Sequence, residues 1–218
     1  MDWDGANKKQ VSSHRTVSQS PSWSPNGRYI AYTSFLYHKK TKTRNADLFL
    51  YDFTAKKRWL LSYQKGINSG ASFTPDSQSV LFRISKKGAS DIYRTTLKGK
   101  RLTPITKGPR GAMNVEPAIS PNGKKVAFSS DRSGQPLIYT MDINGKNVKR
   151  LTFAGRYNSS PAWSPDGKRI AFAGFDKGHF DIFIVDANGK HLKRLTTAKK
   201  RNGKLANNEY PSFSPDGR

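Results

Sequence analysis

Acid–base or metal chemistry in this 218-residue chain would have to come from fifteen acidic side chains and four histidines. Cleaving a glycosidic bond needs two carboxylates held close together in surroundings that drive their pKa values apart. Ten of the thirteen aspartates fall at recurring places instead. Asp76, Asp166 and Asp216 stand in a repeated Pro-Asp turn. Asp47, Asp91 and Asp181 open a repeated apolar run, and Asp2, Asp52, Asp142 and Asp186 close it. The remaining acids, Asp4, Asp131, Asp176, Glu116 and Glu209, are not brought together by any spacing. His14, His38, His179 and His191 are scattered, without the i, i+4 pair of a zinc site. Asp2-Trp3-Asp4-Gly5 resembles the start of a calcium loop. Its siblings Asp142-Ile143-Asn144-Gly145 and Asp186-Ala187-Asn188-Gly189 lose the second carboxylate, however, and no Glu follows at calcium-loop distance, so it reads as a turn. With no Cys, thiolate catalysis and cysteine zinc sites are excluded. No Gly-x-Ser-x-Gly nucleophile elbow is present either. The prediction is a binding protein without catalytic residues, metal or cofactor.

An internal repeat defines the elements that position these groups. Pro21-Ser22-Trp23-Ser24-Pro25-Asn26-Gly27 is followed by Ala71-Ser72-Phe73-Thr74-Pro75-Asp76-Ser77 and Pro117-Ala118-Ile119-Ser120-Pro121-Asn122-Gly123. Pro161-Ala162-Trp163-Ser164-Pro165-Asp166-Gly167 and Pro211-Ser212-Phe213-Ser214-Pro215-Asp216-Gly217 complete the series. The second proline recurs at 25, 75, 121, 165 and 215, at intervals of 50, 46, 44 and 50. Each of the first four copies leads into a β-type run (Tyr29–Tyr32, Val80–Phe82, Val126–Phe128, Ile170–Phe172), then a polar loop and a second run. A turn such as Asn144-Gly145 and a short segment such as Lys149-Arg150-Leu151-Thr152 close the unit. Proline fixes one dihedral of each turn, Asp or Asn caps it, and Gly accepts positive φ. Four short strands per 44 to 50 residues, with no helical periodicity, predict an all-β fold: a β-propeller of four-stranded antiparallel blades. A β-sandwich would alternate similarly but would lack the fixed-period motif. Trp23, Phe73, Ile119, Trp163 and Phe213 recur once per unit, which points to packing between blades rather than sugar stacking.

The sequence reads as a single propeller domain over 1–218, with blades beginning near 20, 70, 116, 160 and 210. Residues 1–12 align with 141–152 and form the end of one blade, giving four complete blades and two partial ones. Because propellers close by completing one blade from both termini, we expect a fragment of a longer chain with Met1 internal. Roughly 20 residues of the closing blade would then lie outside it.

The string Ser-Pro-[Asp/Asn]-Gly-[Lys/Arg]-x-Ile-Ala-[Phe/Tyr], completed by Asp-[Leu/Ile]-[Phe/Tyr] and Asp-x-[Asp/Asn]-Gly, resembles the TolB-type propeller repeat over essentially the whole chain. It lacks the Gly-His and Trp-Asp pairs of WD repeats. The resemblance is greatest to the propeller domain of that family's periplasmic members, which is six-bladed in full. It implies a non-enzymatic scaffold of the bacterial cell envelope, periplasmic, peripheral to the membrane and not inserted, with its signal peptide outside this stretch. The implied partners are a Pal-type peptidoglycan-associated lipoprotein and other Tol proteins. The repeat also occurs in propellers attached to prolyl-oligopeptidase-type serine peptidases, which keeps a peptidase whose catalytic domain lies elsewhere as the alternative.

Charge offers a further alternative. Thirty-nine basic residues against fifteen acidic ones give a net charge of +24, which calls for anionic partners. The lysines spread over strand flanks as well as loops, unlike a base-stacking groove, so no nucleic-acid role is expected. A basic binder of anionic polymers remains as the alternative. In a four-stranded meander, the loops between second and third strands share a face with the loops that join blades. Variable residues gather there, and they are where function is expected. The predicted partner-binding residues on that face are His14, Arg15, Arg110, Glu116, Arg156, Tyr157, Asn158 and Glu209. No stretch of about 18 apolar residues, enough for a membrane-spanning helix, occurs.

Overall fold

A computed structural model describes residues 5–86, 88–109, 111–197, 200–201 and 204–217. Arg110, one of the predicted site residues, lies outside them. Blade 1 comprises β1 (Ser18–Trp23), β2 (Tyr29–His38), β3 (Thr43–Asp52) and β4 (Lys57–Ser62). Blade 2 comprises β5 (Asn68–Phe73), β6 (Ser79–Lys86), β7 (Ala89–Thr96) and β8 (Thr103–Pro104). Blade 3 comprises β9 (Asn114–Ile119), β10 (Lys125–Ser130), β11 (Leu137–Asp142) and β12 (Lys149–Arg150). Blade 4 comprises β13 (Tyr157–Trp163), β14 (Arg169–Asp176), β15 (His179–Asp186) and β16 (Lys193–Arg194). Each blade is a sheet of four strands in sequence order, antiparallel throughout. A hairpin of β17 (Lys200–Arg201) and β18 (Lys204–Leu205) occupies the loop after blade 4. No helix occurs among the described residues.

The Pro-Asp-Gly motif makes each turn between first and second strands. In blade 4, Ser164 Oγ donates to Asp166 Oδ1 at 2.6 Å, and the Lys168 amide donates to the same oxygen at 3.0 Å. The Gly167 amide closes the turn on the Ser164 carbonyl at 2.8 Å. Ser77 takes the glycine's place in blade 2 and adopts its left-handed φ of 57°.

The period of two along each strand sends alternate side chains to opposite neighbours. Ala31, Leu48 and Leu50 of blade 1 meet Phe73, Val80, Phe82 and Ile84 of blade 2. Leu81 and Ile92 of blade 2 meet Val126, Phe128 and Tyr139 of blade 3. Ala127, Ile138 and Leu151 of blade 3 meet Ile170, Phe172 and Val185 of blade 4. The core is thus three apolar layers between blades. Phe73, Ile119 and Trp163 each press on the blade before, and the Trp163 indole donates to the Ala118 carbonyl at 3.0 Å. Trp23 departs from this packing: it is 58% exposed and stacks on Phe53 at 4.9 Å. No blade precedes blade 1 among the described residues; its outer flank carries residues 9–12 beside Ile30 and Tyr32, and His14 beside Tyr32 and Phe49. The fifth motif forms its turn, with the Gly217 amide on the Ser214 carbonyl at 2.9 Å. Residues 211–213 are not a strand, because a first strand pairs with the second strand of its own blade and none follows within these 218 residues.

Candidate functional site

The first strands β1, β5, β9 and β13 stand next to one another around a central channel of about 690 Å³. Each carries a β-bulge, where the pairing with the second strand slips by a residue. The bulged residues Ser20, Gly70, Glu116 and Ser160 have φ of 53°, 66°, 56° and 53°, and Tyr210 repeats the conformation at 56°. A left-handed residue other than glycine costs on the order of 1–2 kcal/mol. Here the recurring conformation brings five equivalent positions to the channel, whose wall all five line. Glu116 uses its position to bridge blades: its carboxylate accepts from the Ser160 amide at 2.7 Å and from Ser160 Oγ at 3.4 Å.

Around this wall the structure gathers Glu116, Tyr157, Glu209, Tyr210 and, from β6, Arg83. Burial raises the Tyr157 phenol above its ordinary pKa, and Glu116, Tyr210 and Glu209 add to the rise while Arg83 opposes it. Burial lowers the Arg83 guanidinium, with Glu116 and Tyr157 pulling the other way. Tyr157 packs edge-on against Phe180 at 5.6 Å, which fixes its ring at the rim. Tyr157 and Tyr210 remain 42% and 75% exposed.

The other predicted residues lie apart from this cluster. His14 sits on the outer flank of blade 1, its Nε2 2.9 Å from the Tyr32 hydroxyl and its ring 4.3 Å from that of Phe49. Burial there, aided by Arg58, lowers its pKa. Arg15 is exposed in the same segment, and Arg156 is exposed beside Phe175 and Asp176. Asn158 does not reach the rim. It is 1% exposed, and its amide donates to Thr152 Oγ1 at 2.9 Å and to the Ala154 carbonyl at 3.0 Å.

That placement exposes a structural motif beyond the predicted set. Asn68, Asn114 and Asn158 all begin or nearly begin a first strand, are buried, and tie their blade to the loop entering it or to the blade before. Asn208 repeats the position, donating to Asp181 Oδ1 at 2.9 Å. The signal was available as Asn three residues ahead of Ala71, Pro117, Pro161 and Pro211. The third-strand aspartates belong to the same networks: Asp91 accepts from Thr106 and Asn114, and Asp181 from Thr196, Asn208 and Arg194. They are structural acids. Among the described residues, no group of three His, Asp or Glu side chains is arranged to hold a metal ion.

Four-stranded blades with bulged first strands ranged around a channel define a β-propeller. The chain belongs to the family described as TolB beta propeller domain (PD40), which it matches over residues 1–218. It is similar to the Tol-Pal system protein TolB of Francisella tularensis subsp. mediasiatica (strain FSC147), at 32% identity over 149 residues. That match covers 66% of this chain and 32% of the Francisella protein. Among solved structures, TolB from Acinetobacter baumannii is 35% identical with a TM-score of 0.80, covering 99% of this chain and 51% of that one. A putative TolB from Agrobacterium tumefaciens gives a TM-score of 0.71 over 95% of this chain and 89% of that one; at 19% identity it speaks for the fold alone. The chain therefore spans about a third of the Francisella relative and about half of the Acinetobacter structure.

Proposed function

We propose that the chain is the docking face of a periplasmic cell-envelope scaffold. In this reading it is peripheral to the membrane and binds a Pal-type peptidoglycan-associated lipoprotein without doing chemistry on it. The observation that carries the reading is the channel, lined by Glu116 and Tyr210, with Tyr157 within electrostatic reach of both and of Glu209, all four departing from the repeat. Exposed tyrosines on a rigid rim are efficient anchors for a partner, since they bury much area for little lost freedom. Membership of the TolB propeller family and the Tol-Pal name of the relatives support the choice of partner. Arg15 and Arg156, both exposed though apart from this cluster, would add charge that draws an acidic partner in.

The test is a titration of the protein with the labelled periplasmic domain of the Pal lipoprotein from the same cell. Tyr157→Ala and Tyr210→Ala should each weaken binding about tenfold or more, as expected for central anchors. Asn144→Ala, on a turn at the opposite face, should leave it unchanged. Wild-type protein that does not bind, or tyrosine variants that bind as well as wild type, would reject the reading.

A further inference from the structure

Position 83 breaks the repeat. Along β6, Val80, Phe82 and Ile84 face blade 1 while Leu81 faces blade 3, and Arg83 shares the face of Leu81. Arg83 stands opposite Ser69 in the ladder, as Thr33 stands opposite Gln19, Ser129 opposite Val115 and Ala173 opposite Ser159. Three blades therefore keep a small residue here. Thr33 and Ser129 use it to donate to the backbone carbonyls of Asn68 and Asn158 in the next blade, at 3.2 and 2.9 Å. A guanidinium on the same bearing comes within electrostatic reach of Glu116 and Tyr157.

Among the described residues, the buried Nε of this arginine has no hydrogen-bond partner and its guanidinium forms no ion pair. Glu116 acts on it electrostatically, but that carboxylate is held by Ser160. A desolvated donor left unmade is costly, more so when it is charged. The guanidinium offers a planar fork of N–H groups suited to a carboxylate. The Tyr157 phenol, kept protonated by its surroundings, is a second donor on the same rim.

We propose that Arg83, with Tyr157 beside it, receives a carboxylate side chain that a docked acidic segment inserts into the channel mouth. The docking reading supplies the source of that carboxylate, while the site itself stands on the arginine. Glu209, exposed on the rim and close enough to act on Tyr157, opposes the incoming charge, so Glu209→Gln should tighten binding.

The direct probe is sodium glutarate, added to protein labelled with nitrogen-15 in arginine. The Arg83 Nε–Hε resonance is assigned by its loss in Arg83→Lys. The expected result is a saturable shift with glutarate that neither glutaramide nor sodium chloride at equal ionic strength reproduces, weakened in Tyr157→Phe. No shift, or the same shift with chloride, overturns the site. With the Pal-type domain as probe, Arg83→Met should weaken binding about 10- to 100-fold, the range of a lost charged hydrogen bond, with a melting temperature equal to or above that of wild type. Arg83→Lys, which keeps the charge and loses the fork, should recover only part of it. Should wild type and Arg83→Met bind that domain equally, the site is refuted and docking stands. Should glutarate bind at Arg83 while no Pal-type domain binds, the site stands and the docking reading fails.

Discussion

Replacing Asn68 by alanine should remove about 4 kcal/mol from the stability of the fold. Asn68 is fully buried where blade 2 begins, and all four hydrogen-bonding positions of its side chain are used. The amide donates to the Ala46 carbonyl of blade 1 at 2.9 Å and to the Gln64 carbonyl at 2.7 Å. Its oxygen accepts from Ser62 Oγ at 2.7 Å and from the Gln64 amide at 3.1 Å. At about 1 kcal/mol net for each bond, the sum is about 4 kcal/mol, and two of the abandoned partners, Ser62 Oγ and the Ala46 carbonyl, stay buried. For a chain of this size, that corresponds to a fall in melting temperature of about 8–16 °C. The assay is urea denaturation followed by tryptophan fluorescence, checked by thermal melting. Asn144→Ala is the control: its exposed side chain accepts one hydrogen bond, from the Lys146 amide at 3.0 Å, and its loss should cost under about 1 kcal/mol. Asn68→Asp is a sharper variant, because it sets a carboxylate against two carbonyl oxygens. Its folded pKa should be raised, so the variant should be weakest at neutral pH and regain stability as acid restores one donor. A loss below about 1 kcal/mol in Asn68→Ala would refute the view that this residue clamps the blades.

Phe82, fully buried between blades 1 and 2, should cost about 3–5 kcal/mol when changed to alanine, measured by the same denaturation. Gly145→Ala should cost about 2 kcal/mol or more, because an added Cβ would lie 2.0 Å from the Ile105 carbonyl oxygen at a φ of +85°. The fork from Arg28 holds the Asp52 carboxyl down to about 2, helped by the Thr54 and Ala55 amides, and Asp76, Asp142 and Asp166 are lowered as well. A depressed carboxylate stabilises the fold above its unfolded pKa and stops doing so as pH falls through the folded one. Melting temperature should therefore drop between about pH 4 and pH 2, and Asp52→Asn should flatten part of that limb.

Much of this architecture was legible because the repeat encodes it locally. Pro-Asp-Gly turns, alternating apolar runs and Asn-Gly turns each specify a piece of one blade, and the recurrence of Phe73, Ile119 and Trp163 announced the layers between blades. The channel site was legible only in part. Glu116, Tyr157 and Glu209 could be placed near a mouth by counting back from each first strand. The bulge that turns residue 116 inward follows from tertiary pairing and has no mark in a single copy. Asn158 was assigned to the same rim because it was read alone. Set beside Asn68, Asn114 and Asn208, it is a repeat residue, and a polar residue that recurs in four successive copies of the motif serves the fold before it serves a partner. Arg83 went unnoticed for the opposite reason. It sits inside a strand where a basic residue draws no attention until its small counterparts Thr33, Ser129 and Ala173 are aligned with it. Trp23 shows the limit of reasoning by recurrence, since the same motif position is exposed where no blade packs against it.

The central claim is that the channel mouth docks a protein rather than that positive charge gathers any polyanion. It is tested most directly by titrating the protein, at low and at physiological salt, with the labelled Pal periplasmic domain and with a labelled DNA duplex. The expected result is saturable binding of the Pal domain that persists at physiological salt and is lost with Tyr157→Ala, together with DNA binding that is weak or collapses as salt rises. DNA binding with no binding of the Pal domain would contradict it and leave the charge of +24 as the only recognition the chain performs.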